Sequence, residues 1–159
     1  MGCGEDERFM RMAIEAARLG IERGQTPFGA CIVRDGLVLA CEHNGVWAET
    51  DITAHAEVRA IRAACRSAED VDLSGTVIYS TCEPCPMCFS AIHWARIGRI
   101  VYGASIADAR AAGFNELTIP NGEMKRLAGS GVQVEAGLLR EAAAELFRIW
   151  AARPDARAY

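Results

Sequence analysis

The 159-residue chain has no apolar run approaching the roughly 20 residues that a membrane-spanning helix requires, and so carries no sign of a bilayer partner. Its opening, Met1-Gly2-Cys3-Gly4-Glu5-Asp6-Glu7, is acidic where a secretion signal is basic and then apolar. A cytoplasmic location is the expectation. Basic residues are not in excess either: 17 Lys and Arg face 21 Asp and Glu, for a formal net charge of −4. Proteins that grip nucleic acid usually present a basic surface, because phosphate contacts dominate affinity. Arg140, Arg148, Arg153 and Arg157 lie near one end, but the glutamates between them describe a solvated helix face rather than an RNA track. Repeats, low-complexity tracts and Gly/Ser/Pro linkers are all missing, so residues 1–159 are expected to form one domain.

About half of the residues are hydrophobic and about a quarter charged, the ordinary balance of a globular protein. The seven cysteines are an odd number in a chain without secretory features, which argues against a disulfide framework. Cys31, Cys41 and Cys65 fall among apolar residues and read as small buried hydrophobes. Cys3 is expected in a loose tail. Cys82 is expected to pack beneath a site, with a ligand role as the lesser alternative.

That site is announced by Thr81-Cys82-Glu83-Pro84-Cys85-Pro86-Met87-Cys88 and by the earlier Thr53-Ala54-His55-Ala56-Glu57. Pro86 suits the first position of a helix, where its missing N–H is no loss. Residues three apart on a helix share a face, so Cys85 and Cys88 can direct both sulfurs to one point. The N-terminal end of a helix also favours the thiolate that binds metal. With His55 as a third ligand, a tetrahedral zinc keeps one position open, the arrangement of catalytic rather than structural sites. Glu57 then stands as a carboxylate that can move protons between water and a substrate. The combined pattern H-x-E…P-C-x-x-C is a signature of zinc deaminases, with the glutamate as acid/base. A redox C-x-x-C or half of a four-ligand structural zinc site is the alternative, but neither His43 nor His93 belongs to a second ligand pair of the usual spacing.

Along the chain, Phe9, Met12, Ala13, Ala16 and Leu19 form an apolar stripe that predicts a helix over Glu7–Arg23. The runs 28–33 and 37–41 predict two strands around the turn Arg34-Asp35-Gly36. Thr53 is the expected N-cap of a helix whose core face is Val58, Ile61 and Cys65. Thr76–Ser80 is a strand, the cysteine turn opens a helix to about Ala95, and Arg99–Gly103 is a strand parallel to the previous one. Residues 107–129 are the least regular, with a short helix over Asp108–Ala112 and a turn at Gly113-Phe114-Asn115-Glu116 that can face the pocket. A fifth strand over Gly131–Glu135 and a helix over Leu138–Ala152 close the order. Leu139, Ala142, Leu146, Ile149 and Trp150 form the stripe of that last helix, and Pro154 ends it. The architecture expected is α/β: a three-layer α/β/α sandwich around a five-stranded mixed sheet. Asn44 is either a turn residue or a pocket amide able to donate and accept.

The chain resembles the cytidine/deoxycytidylate deaminase superfamily, and within it the small bacterial guanine deaminases. The resemblance runs over Pro27-Phe28-Gly29-Ala30, the two metal motifs, Ala91-Ile92-His93-Trp94-Ala95-Arg96, Ala111-Ala112-Gly113-Phe114-Asn115-Glu116 and the closing Tyr159. The central motifs are shared with tRNA adenosine deaminases and cytosine deaminases. The resemblance implies a cytidine-deaminase-like fold, zinc on His55, Cys85 and Cys88, and proton transfer by Glu57. It further implies that Phe28, Asn44, Trp94, Glu116 and Tyr159 line a base pocket, and that the protein is a homodimer whose C-terminal segment can be exchanged. Two departures stand out: Asn115-Glu116 replaces an acidic pair, and Gln25-Thr26-Pro27 replaces glycines. The activity expected is hydrolysis of guanine to xanthine and ammonia. A tRNA adenosine deaminase, a deaminase of cytosine or another aminated ring, and a zinc-stabilised binding module without catalysis are the alternatives.

Overall fold

The computed structural model describes residues 3–159. In chain order the elements are α1 (Cys3–Glu22), β1 (Gly29–Arg34), β2 (Leu37–His43), α2 (Val46–Glu49), α3 (Ala56–Ala68), β3 (Thr76–Cys82), α4 (Pro86–Trp94), β4 (Arg99–Ala104), α5 (Ile106–Ala111), α6 (Asn121–Ala128), β5 (Gln133–Ala136) and α7 (Arg140–Ala151). The sheet runs β2-β1-β3-β4-β5, with β1 antiparallel to both neighbours and β3, β4 and β5 parallel. Asp35 and Gly36 both take positive φ, 50° and 77°, the backbone that a two-residue hairpin between twisted strands requires.

Successive strand residues point to opposite faces, and the sequence obeys this on both sides of the sheet. Cys31, Val33, Tyr79 and Val101 meet Phe9, Ala13 and Ala17 of α1 and Leu146 and Trp150 of α7. Ala30, Ile32, Ile78 and Ile100 meet Ala60 and Ala64 of α3 and Phe89 and Ile92 of α4. Two helical layers therefore sandwich one mixed five-stranded sheet, the three-layer α/β/α arrangement expected. Among the described residues no helix is long and apolar enough to cross a membrane.

Several local expectations are corrected. Helix α1 begins at Cys3, four residues before Glu7, so Cys3 belongs to its first turn and only residues 1 and 2 of the expected tail lie outside the described residues. The buried seam of α3 is Ala56, Ala60 and Ala64, with Val58, Ile61 and Cys65 only partly buried beside it. Alanines win that face because the helix lies close on the sheet. Helix α7 likewise buries Ala143, Leu146, Phe147 and Trp150 rather than the stripe through Ala142 and Ile149. Helix α6 occupies part of the segment expected to be irregular.

Close approach is most severe at Gly29, where a Cβ would stand 2.1 Å from the Ala13 carbonyl oxygen and 2.8 Å from the Ala17 nitrogen. Helix α1 is also tied to the sheet by charge. Arg99 Nη2 donates to Asp6 Oδ2 at 2.8 Å, Arg99 Nε donates to Glu135 Oε1 at 2.7 Å, and the Tyr79 hydroxyl donates to Asp6 Oδ1 at 2.5 Å. The Arg99 hydrogen bonds hold the Asp6 carboxyl below its ordinary range, against the opposing effect of burial.

Candidate active site

Two helix starts build the centre. His55 is the N-cap of α3 and Cys85 the N-cap of α4, both extended, with φ/ψ of −63°/153° and −65°/167°. Neither side chain caps its own helix, so each is free to turn toward the other. Thr53, the expected cap, instead donates its hydroxyl to Asp51 Oδ1 at 2.6 Å. Cys88 follows one turn into α4, after Pro86 at the helix start. His55 Nδ1 lies 3.6 Å from Cys85 Sγ and 3.5 Å from Cys88 Sγ, and the three atoms form one group able to hold an ion. Tetrahedral zinc with bonds of about 2.05 Å to nitrogen and 2.3 Å to sulfur would separate N and S by about 3.6 Å. The donor set thus fits zinc in element, count and spacing.

Charge at these groups points the same way. The hydrogen bond from Cys88 lowers the Cys85 thiol to about 4 against burial, with His55 assisting. Burial works to depress His55, but the Cys85 sulfur and then Glu57 and Glu116 raise it on balance. Glu57, in the first turn of α3, is buried, and burial raises its carboxyl. Its hydrogen-bonding neighbour from β3 is Ser80, whose Oγ lies 3.3 Å from Glu57 Oε1 and also donates to the Cys82 carbonyl at 2.6 Å. Cys82 is buried with its thiol on the Ser105 carbonyl at 3.4 Å, outside the metal-ligating group, and borders the inner chamber.

An inner chamber of about 10 Å³, the space of one water, opens between His55, Cys85, Glu57 and Glu116, with Phe28 and Tyr159 as aromatic walls. Outside it lies a cavity of about 220 Å³ bounded by Ile52, Pro86, Met87, Leu117, Glu116 and Tyr159. Burial first, then the Cys85 and Glu57 charges, push the Glu116 carboxyl up to about 7, with His55 opposing. Phe28, Glu116 and Tyr159 are therefore gathered beside the metal group. Asn44 is one layer behind: its Nδ2 donates to the Tyr159 hydroxyl at 2.7 Å while its Oδ1 accepts from the Val46 N–H at 3.0 Å. Asn44 thus holds the turn at Val46 and the Tyr159 hydroxyl, and lines neither cavity itself.

Trp94 is not brought to the pocket. It ends α4 with 80% of its surface exposed, beside His93, because the helix carries it away from the Cys85 end. Residues that the motif reading missed hold the tail in place. The Arg157 guanidinium lies 3.5 Å over the Trp47 ring, Trp47 Nε1 donates to the Arg157 carbonyl at 3.2 Å, and the Asn115 N–H donates to the Tyr159 carbonyl at 3.1 Å. Tyr159 packs against His55 and Phe114 at ring separations of 5.6 and 5.5 Å.

A zinc-ready triad beside a buried glutamate, set in this three-layer sandwich, defines a zinc-dependent hydrolytic deaminase. Residues 4–104 match the cytidine and deoxycytidylate deaminase zinc-binding region, and the chain belongs to that family. It is 45% identical to the guanine deaminase of Bacillus subtilis over 111 residues, 69% of this chain and 71% of that protein. It is equally 45% identical to the tRNA-specific adenosine deaminase of Agrobacterium fabrum over 100 residues, 63% of this chain and 66% of that protein. In structure it resembles a guanine deaminase from Nitrosomonas europaea, with a TM-score of 0.85 and 32% identity, covering 92% of this chain and 85% of that one. A tRNA:A34 deaminase superposes with a TM-score of 0.74 at 35% identity, covering 87% and 98%.

Proposed function

We propose that the chain hydrolyses a free aminated base, guanine, to xanthine and ammonia. The observation that carries this reading is the pocket wall supplied by the tail. Tyr159, held by Asn44 and Asn115, bounds a cavity of about 220 Å³, a volume on the scale of a single base. The net charge of −4 adds to it, since a tRNA substrate calls for a basic surface.

When bound, the metal supplies a Lewis acid that brings the pKa of water to about 7. Glu57 accepts a proton from the attacking water and passes it to a ring nitrogen as C2 becomes tetrahedral; it then takes the proton of the new C2 hydroxyl and delivers it to the amine as the C2–N bond breaks and C2=O forms. Water and guanine thus yield xanthine and ammonia with Glu57 restored. Glu116 accepts from a ring N–H, and a pocket matched in this way rejects analogues that lack the donor by as much as about 10⁴–10⁵. Phe28 and Tyr159 fix the plane of the ring, and Asn44 fixes Tyr159.

The same proposal includes a homodimer: Trp94 and the exposed Ile52 and Leu117 are large apolar side chains that a second copy would cover. The tail described here docks on its own chain, and in a dimer the same docking surface can receive a partner's tail. Sedimentation of the wild type and of Trp94→Ala tests this; a monomeric wild type refutes it.

Ammonia release is to be measured with guanine, adenine, cytosine, aminated triazines, nucleosides and tRNA. Guanine is expected to turn over. The tRNA reading, favoured by the Agrobacterium relative, replaces it if guanine is inert and tRNA is deaminated with steep salt dependence.

A further inference from the structure

Between the last residue of β3 and the first metal-binding cysteine stand Glu83 and Pro84; Glu83 borders the inner chamber beside Cys82 but belongs neither to the metal group nor to the substrate contacts proposed above. Glu83 is 7% exposed, and no arginine or lysine is paired with it among the described residues. Its two oxygens face two helix starts, with the Tyr102 side chain as a further hydrogen-bonding partner. Oε2 accepts from the N–H of Ile106, the first residue of α5, at 3.1 Å, and Oε1 accepts from the N–H of Asn121, the first residue of α6, at 2.8 Å. Asn121 answers in kind: fully buried, it donates from Nδ2 to the Pro84 carbonyl at 2.6 Å. The Glu83 N–H also donates to the Ala104 carbonyl at the end of β4, at 2.8 Å.

These bonds add a polar link to segments that the pairing of Cys82 with Ala104 and the packing of α6 on α4 already bring together. The metal loop 82–85 is on one side. On the other, α5 and α6 bracket residues 112–120, the segment that carries Glu116 into the pocket and offers the Asn115 N–H to Tyr159. Charged acceptors to backbone N–H groups are stronger than neutral ones, and at a helix start such an acceptor also meets the positive end of the dipole.

We infer that Glu83 is a positioning residue for substrate selection: with Asn121 it sets the distance between the metal group and Glu116, and through Asn115 the seat of Tyr159. This rests on the reading that Glu116 contacts the base, but not on which base is turned over.

The test is a double-mutant cycle on zinc-loaded full-length protein, using whichever base the panel identifies as substrate. In Glu83→Gln an amide NH₂ must face one of the two backbone N–H groups, so one side of the clamp opens with little change of volume. Catalytic efficiency is expected to fall between about ten- and a hundredfold, the scale of a small misplacement of a binding group. Zinc content should stay near wild type, while Tm should fall by a few degrees because one buried N–H loses its acceptor. In a Glu116→Gln background the same change should cost less than about threefold, because residues acting as one unit are not additive. Additive losses, unchanged activity in Glu83→Gln, or loss of zinc in place of loss of base affinity would each overturn the inference. Should Glu83→Gln fail to fold, Asn121→Ala runs the same cycle, opening the clamp from α6. Guanine proving inert while another base gives the non-additive cycle would remove the guanine assignment and leave the clamp standing.

Discussion

Removing Ala158 and Tyr159 should open the pocket while leaving the metal group whole, and the structure gives the size of the effect. Tyr159 contributes a partly buried ring against His55, Phe114 and Trp47. At roughly 1.5–3 kcal/mol for a fully buried large side chain, a partly buried one contributes about 1.5 kcal/mol. Its hydroxyl also satisfies the amide of Asn44, a residue with no exposed surface, so the deletion orphans a donor at about 1–3 kcal/mol. What remains to hold the tail is the stack of Arg157 on Trp47 at about 0.5–1 kcal/mol and one hydrogen bond of similar worth. A loss of about 3 kcal/mol shifts the docked population by roughly a hundredfold. Catalytic efficiency in ammonia release should therefore fall at least tenfold. Zinc measured by elemental analysis should be unchanged, because no ligand lies in the tail. A truncated protein with wild-type kcat and KM would refute the claim that Tyr159 is a working wall. Truncation that strips the metal would instead show the tail to be part of the metal site.

Three further outcomes are expected. Glu57→Gln should keep zinc and thermal stability but lose about 10²–10⁴ in kcat, the usual worth of a positioned acid/base; undiminished turnover would end its assignment as proton carrier. Asp6→Asn should destabilise by about 1.5–3 kcal/mol near neutral pH, since it removes a charged acceptor from Arg99 and Tyr79. The folded Asp6 pKa is depressed, so that contribution is present above the unfolded value near 3.8 and fades as pH falls through the lower folded value. Urea unfolding of the two proteins should therefore converge as pH falls below the folded Asp6 value, and a gap that does not narrow with acid would contradict the ion-pair account. Gly29→Ala should cost about 3 kcal/mol or more, because the new methyl meets backbone atoms of α1 that cannot rotate aside; a Tm within two degrees of wild type would show that α1 can shift.

The metal group was legible because its chemistry is compressed into two short motifs. His55, Glu57, Cys85 and Cys88 need nothing from the rest of the fold to be recognised as a set. The hairpin at Asp35-Gly36 and the parallel β3–α4–β4 unit were legible for a similar reason, since turn chemistry and crossover handedness are local rules. Packing against the sheet was not. The seam through Ala56, Ala60 and Ala64 is made of residues that look neutral in a hydropathy pattern, and closeness to β1 and β2 selects them over Val58 and Ile61. His55 displaced Thr53 as the helix start because the ligand must leave the helix axis to reach Cys85. The partners of Glu83 lie 23 and 38 residues away and those of Tyr159 as far as 115, distances at which spacing carries no signal. Trp94 stays outside this chain's own pocket for the opposite reason: sharing a helix with Cys88 does not bring a residue to the same end of it.

The catalytic centre has a floor and a roof of different make. The floor is poured into the middle of the molecule, from two helix starts braced by the central strands, where a change of one atom is felt by the whole fold. The roof is a loop and a strap, Asn115–Glu116 and Arg157–Tyr159, laid across from the surface and pinned at a few points. Such a building can be re-roofed without disturbing its foundations: new ring shapes can be admitted by altering two short surface segments while the hydrolytic apparatus stays as it is.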